Sequence, residues 1–154
     1  MTRTAERYHD ISTGHRVVGH ENKCRHLHGH NYRIHFVCES ADLDSVGRVI
    51  DFGVIKEKLC IWTEDNWDHK FLAWEHDTLM STLVDNSVHD GDLSDIESIM
   101  FQESVVFVPF NPTAENMAEH LVKVIGPQQL EGTGVTLVSV RIEETAKCSA
   151  SFSL

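Results

Sequence analysis

At 154 residues, with 41% hydrophobic and 24% charged side chains, the chain is sized for one globular domain with its own core, residues 1–154. A formal net charge of −11 argues against binding a nucleic-acid backbone, which is gripped by clustered lysine and arginine, and no stretch has the length and apolarity of a membrane span. The amino terminus, MTRTAERYHDIS, lacks the apolar region and cleavage site of a secretion signal, so a cytoplasmic location is expected.

Tyr8 to Val18 reads as a first strand carrying His15, and the polar run from Gly19 to Lys23 as the loop of a hairpin. From His28 to Cys38 the sequence alternates, with His28, His30, Tyr32, Ile34, Phe36 and Cys38 on one face and Asn31, Arg33, His35 and Val37 on the other. The two histidines therefore share the apolar face, with only Gly29 between them. Asp51 stands in capping position before Phe52, Ile55, Leu59 and Trp62, whose three-and-four spacing marks a helix. From about 75 to 104 the chain is acidic and weakly periodic, so a surface insertion or a short extra helix is expected there.

Ser104 to Val108 is strand-like. Pro112 and Thr113 signal a second helix, with Met117, Ala118, Leu121, Val124 and Ile125 as its apolar stripe and Gly126-Pro127 as its stop. In the last strand, Val135 to Ile142, the inward set is Thr136, Val138, Val140 and Ile142, and the same alternation carries Glu144 inward. These elements predict an α+β fold: a four-stranded antiparallel sheet with two helices on one face, its open edges suited to pairing with other copies.

The chemistry concentrates between Cys24 and His30. A catalytic zinc takes three protein ligands and keeps one position open, whereas a structural zinc fills all four. His28 and His30 point the same way from one strand, and His15 joins them if the hairpin register allows; His20 and His26 compete for the third position. Cys24 sits beside Lys23, Arg25 and His26, neighbours that favour a thiolate able to act as base or nucleophile. As a fourth metal ligand it would instead close the site and make a non-catalytic, zinc-stabilised module. A zinc hydrolase is disfavoured, because no His-Glu-x-x-His helix is present. Asp68 and His69 are adjacent in WDHKFL; neighbours in sequence bond each other less readily than separated residues, so partners elsewhere are expected, and a surface turn is the plainer reading.

The segments ISTGHRV, CRHLHGHNY, VIDFGVIK, WDHKFL, NPTAENMA and RIEETAKCSASF, in this order, resemble the 6-pyruvoyl-tetrahydropterin synthase family, which includes the bacterial 6-carboxy-tetrahydropterin synthases of queuosine biosynthesis. The resemblance covers nearly the whole chain. It implies a zinc ion held by His15, His28 and His30, Cys24 as general base, Asp68 and His69 as an acid/base relay, and Glu144 as the carboxylate that anchors the pterin, with Thr113 and Glu115 lining the pocket. It also implies the tunnelling fold, or T-fold, in which sheets from several subunits close into a barrel with sites between subunits, assembled as a homohexamer of two trimers. The gap of three residues between Cys24 and His28 resembles the carboxy branch, so the implied reaction converts 7,8-dihydroneopterin triphosphate to 6-carboxy-tetrahydropterin, acetaldehyde and triphosphate; elimination to 6-pyruvoyl-tetrahydropterin is the alternative. Arg16, Lys23, Arg25 and Arg33 are candidates for meeting the triphosphate. Two departures stand out: the long 76–103 excursion, and Glu143 beside Glu144, which makes the anchor depend on strand register.

Overall fold

A computed structural model describes residues 2–154. A long hairpin of β1 (Arg3–His15) and β2 (His28–Ser40) pairs in one unbroken antiparallel register from Arg3 opposite Ser40 to His15 opposite His28. β5 (Thr136–Thr145) adds to β2 and β6 (Cys148–Ser153) to β5, both antiparallel. β3 (Phe71–Trp74) runs parallel to the end of β1, at Gly14 and His15, and β4 (Val105–Val108) runs parallel to β3.

The sheet thus has six strands in the order β4-β3-β1-β2-β5-β6, against the four expected. Both added strands are short and were hidden in sequence. Phe71–Trp74 is too brief for alternation to show, and Cys148–Ser153 alternates cysteine, alanine and phenylalanine with serine, a weak apolar signal.

Two helical runs cover the apolar face. The first comprises α1 (Phe52–Ile55), a π-helical turn at Lys56–Cys60 and α2 (Ile61–Asn66). Asp51 caps it as expected, accepting from the Gly53 N–H at 2.7 Å. The second comprises α5 (Ala114–His120), a π-helical turn at Leu121–Ile125 and α6 (Gly126–Gln129), capped by Thr113, which accepts from the Asn116 N–H. Their buried residues, among them Ile55, Leu59, Met117, Ala118, Leu121, Val122 and Ile125, meet Ile11, Ile34, Phe36, Leu137, Val140 and Ile142 of the sheet.

Three local expectations are corrected. The helix stripe, at ordinary helical spacing, is Met117, Ala118, Leu121, Val122 and Ile125, so Val122 is buried while Val124, at the edge of that face, is 38% exposed. The π turn carries the helix past Gly126-Pro127 instead of stopping there, the shift in hydrogen-bond register falling where a residue without an N–H does least harm. In β5 a register shift opposite Val37 and Cys38 places Leu137 in the core, in place of Thr136 and Val138; beyond it Val140 and Ile142 face inward as read.

The stretch from 75 to 104 is more ordered than a surface loop. It forms α3 (Thr78–His89) and α4 (Asp95–Ser104), which pack on each other, with Ser94 and Glu97 closing a capping box at the start of α4. Asp77 caps α3. No helix among the described residues is long and apolar enough to cross a membrane.

Gly126 packs its backbone directly on β5: an added Cβ would lie 2.8 Å from the Leu137 Cβ and 3.3 Å from the Leu121 carbonyl oxygen. Gly126→Ala is therefore expected to lower the free energy of unfolding by about 1–3 kcal/mol in urea titration, although alanine is the better helix former.

Candidate active site

The register of β1 against β2 assembles the centre. His15 lies directly opposite His28, and Thr13 opposite His30, so the three imidazoles converge on the helix-covered face with ring centroids 4.6 to 5.2 Å apart. One ring nitrogen from each lies within 4.8 Å of the others. Between the two β2 histidines the backbones approach closely: a Cβ on Gly29 would stand 3.1 Å from the Thr13 carbonyl oxygen, so a larger residue would press on β1.

Two of the three tautomers are assigned by the partner of the other nitrogen. Nδ1 of His15 faces the Pro112 carbonyl oxygen at 2.6 Å and Nδ1 of His28 faces the His26 carbonyl oxygen at 2.7 Å. A carbonyl can only accept, so both Nδ1 atoms carry the proton and both Nε2 atoms present a lone pair. Nε2 of His15 and Nε2 of His30 are buried with no hydrogen-bond partner. Burial holds His15 neutral, its pKa lowered to about 4, and the same effect lowers that of His30 despite Glu144 nearby. Three converging ring nitrogens, two of them buried and otherwise unsatisfied, fit a divalent metal of zinc's preference.

Cys24 does not belong to this ligand group. It sits on a short 3-10 turn, Lys23–Arg25, and lines a cavity of about 300 Å³ together with His20, Thr113, Glu115, Glu144 and Cys148. Five of the expected site residues are thereby sorted: three histidines form the centre, while His20 stands with Cys24 in the cavity and His26 lends only its carbonyl. Glu144 reaches inward, its Oε1 3.4 Å from Nε2 of His30. Glu143 points to the opposite face, where His35 and Arg141 engage it and hold its carboxyl below the usual range. Strand register thus separates the two glutamates.

Asp68 and His69 do bond each other, His69 Nδ1 to Asp68 Oδ2 at 2.8 Å, contrary to expectation. The reason is backbone conformation: His69 has φ 57°, the left-handed region, which folds its ring back over its neighbour. The pair is fastened to β1, with the Ser12 N–H donating to Asp68 Oδ1 and the His69 N–H to the Ser12 carbonyl. Within one chain it is not brought to Cys24. His69 instead lines two open cavities on the sheet's other side with Ser12 and Asn31, and its side chain is 81% exposed.

The four candidate cations divide as well. Arg16 is committed to Asp77 and Arg33 to Asp10, which leaves Lys23 and Arg25 beside Cys24. Sequence reasoning missed the Arg16–Asp77 pair, the Pro112 carbonyl behind His15, and the buried Tyr32 hydroxyl, which has no hydrogen-bond partner and whose ring packs edge-on against His15 and His30. Asp77 before Thr78 was a legible capping signal; nothing in the sequence pointed to the Pro112 carbonyl.

The sequence profile of 6-pyruvoyl tetrahydropterin synthase matches residues 4–154. The chain belongs to that family. A Rickettsia bellii protein named 6-carboxy-5,6,7,8-tetrahydropterin synthase is 32% identical over 139 residues, covering 90% of this chain and 91% of its own. A Halobacterium salinarum protein named as a probable synthase of the same kind is 33% identical over 140 residues, covering 91% and 79%. Among solved structures, an uncharacterized Wolinella succinogenes protein superimposes with a TM-score of 0.84 at 26% identity, covering 99% and 98% of the two chains. The 6-pyruvoyl tetrahydropterin synthase of Caenorhabditis elegans shares the fold, with a TM-score of 0.64 at 21% identity, covering 100% and 96%. The fold is that of the tetrahydropterin synthases, the T-fold, and the family's activity is that of a lyase-type enzyme acting on a pterin.

The depressed pKa of His15 has a consequence for stability. Its folded value near 4 lies below the ordinary 6.5, so the unfolded chain binds the proton more tightly and the stabilisation, complete above 6.5, is lost as pH falls towards 4. In metal-free protein the free energy of unfolding should drop by up to about 1.4 kcal/mol per pH unit across that window, and His15→Gln should flatten the slope in denaturant titrations.

Proposed function

We propose that this chain is a zinc-dependent 6-carboxy-5,6,7,8-tetrahydropterin synthase that converts 7,8-dihydroneopterin triphosphate to 6-carboxy-tetrahydropterin, acetaldehyde and triphosphate, a step of queuosine biosynthesis in the cytoplasm. The observation that carries the reading is the separation of roles at the centre: three converging histidines whose ring nitrogens can share one ion, and Cys24 in the adjoining cavity outside the ligand group. An open three-histidine site with a neighbouring thiol suits catalysis, where four filled positions would suit structure. The names of the bacterial and archaeal relatives support the carboxy product.

Bound zinc would supply a Lewis acid that lowers the acidity barrier of the substrate's side-chain hydroxyl and C–H groups. Glu144, at the cavity wall beside His30, is suited to accept two N–H bonds from the pterin ring and so orient the side chain towards the centre. Thr113 and Glu115 line the same cavity. Cys24 takes the proton, and His69, held by Asp68, returns one. His69 and Cys24 lie on different faces of one chain, which supports a site completed by a neighbouring copy in a homohexamer of two trimers; Lys23 and Arg25 then meet the triphosphate.

The deciding experiment incubates zinc-loaded protein with dihydroneopterin triphosphate and identifies products by mass spectrometry. Carboxy-tetrahydropterin with acetaldehyde is expected, and pyruvoyl product without acetaldehyde would reassign the reaction. Cys24→Ala should keep its zinc and its fold while losing turnover by at least about a hundredfold; loss of zinc with the thiol would instead indicate the closed, non-catalytic site.

Shared sites make a separate prediction. Cys24→Ala and His69→Ala proteins, each inactive alone, should recover about a quarter of parental activity when unfolded together and reassembled at equal ratio. No recovery would place both groups of one site on one chain.

A further inference from the structure

The connection from β1 to β2, residues 16–27, is clipped to the rest of the protein at Arg16 and Val18 and to itself at Val17. Arg16 forks onto Asp77, Nε to Oδ2 at 2.6 Å and Nη2 to Oδ1 at 2.7 Å, and its Nη1 donates to the Arg25 carbonyl at 3.2 Å. The Val17 N–H donates to the Cys24 carbonyl at 2.7 Å. Val18 is bound on both sides by the Asn111 side chain, its N–H donating to Oδ1 at 3.0 Å and its carbonyl accepting from Nδ2 at 2.9 Å.

Asp77 is the deepest of these anchors. Its side chain is 1% exposed, and beyond the arginine its carboxylate accepts from the Leu79 and Met80 N–H groups at 3.1 and 3.3 Å, which caps α3. Arginine and two backbone donors together hold its carboxyl below the usual range. One carboxylate on the 75–104 stretch therefore sets the guanidinium, and the guanidinium in turn sets the backbone carbonyl of the residue after Cys24. A buried ion pair is a weak source of net stability compared with apolar packing, but its forked geometry allows little play.

We propose that Asp77, acting through Arg16, is a positioning residue for Cys24: the carboxylate at the start of α3 holds the 3-10 turn so that the thiol faces the cavity beside the three histidines. This rests on Cys24 being the base. It gives the 75–104 excursion a role in the site, since β1 and β2 alone supply the metal ligands but do not fix the thiol.

The test compares the zinc-loaded full chain with Asp77→Asn and Arg16→Lys. Asparagine caps helices as well as aspartate does, so α3 keeps its cap while the charged fork is lost; lysine keeps the charge but cannot span Asp77 and the Arg25 carbonyl together. Both variants should bind zinc as the parent does. Both should lose at least about tenfold in kcat with KM nearly unchanged, and their Cys24 should react with iodoacetamide at least about threefold faster, read peptide by peptide to separate it from Cys148. A lower melting temperature with parental alkylation rate, or a lower kcat with parental alkylation rate, would overturn the proposal, as would parental behaviour throughout. If Asp77→Asn does not fold, Arg16→Lys decides alone. The alkylation rate needs no turnover, so a parent that leaves the pterin untouched defeats the functional reading while the clamp is still judged.

Discussion

The pairing of His15 with His28 across the first hairpin is the constraint on which the centre depends. Thirteen consecutive pairs between β1 and β2 hold that register, and each side chain on the inner face of one strand is matched to an inner side chain of the other. A slip of one residue would turn His28 and His30 to the face that now carries Asn31 and Arg33, and would place Gly14 opposite His28. The apolar run that follows the histidines, Tyr32, Ile34, Phe36 and Cys38, opposes any such slip, because all four would leave the core with them. The core thus holds the geometry of the three histidines in place from the far end of the same strands.

Register alone aims the rings; carbonyl oxygens choose which nitrogen faces inward. Pro112 belongs to the segment leading into α5 and His26 to the connection before β2, so two segments outside the paired strands set the tautomers of His15 and His28. The same leading segment supplies Asn111, which holds Val18, and Thr113, which caps α5 and lines the cavity. Three consecutive tasks at the centre therefore converge on residues 111–113, although none of the three is itself an acid, a base or a thiol.

Side-chain alternation made the inner face of β2 legible from sequence, along with the caps at Asp51 and Thr113 and the inward turn of Glu144. What sequence pattern could not show was every place where periodicity breaks. The π-helical turn at Leu121–Ile125, the shift in β5 and the left-handed His69 each overturned a reading that assumed regular geometry: the helix stop at Gly126-Pro127, Thr136 and Val138 in the core, and Asp68 without His69. Backbone carbonyls as orienting groups were equally invisible, since every residue carries one. The parallel strand β3 escaped because four residues leave no room for a pattern, and β6 because its alternation is of serine with small or lone apolar residues.

The arginines bear on how so acidic a chain could hold an anionic substrate. Of the four cations near the centre, two are already neutralised by buried or facing carboxylates, Arg16 by Asp77 and Arg33 by Asp10, and Arg33 also lies over the Tyr8 ring. The positive charge left for a phosphate is that of Lys23 and Arg25, the two residues flanking Cys24 on its 3-10 turn. Charge and base would then be carried on one short segment, and whatever holds that turn in place positions both. A net charge of −11 works against a triphosphate at long range, but over distances beyond about 8 Å physiological salt screens most of that repulsion, leaving the local pair to decide. The turn, with its anchors at Asp77 and Asn111, would then set the placement of both the local positive charge and the Cys24 thiol.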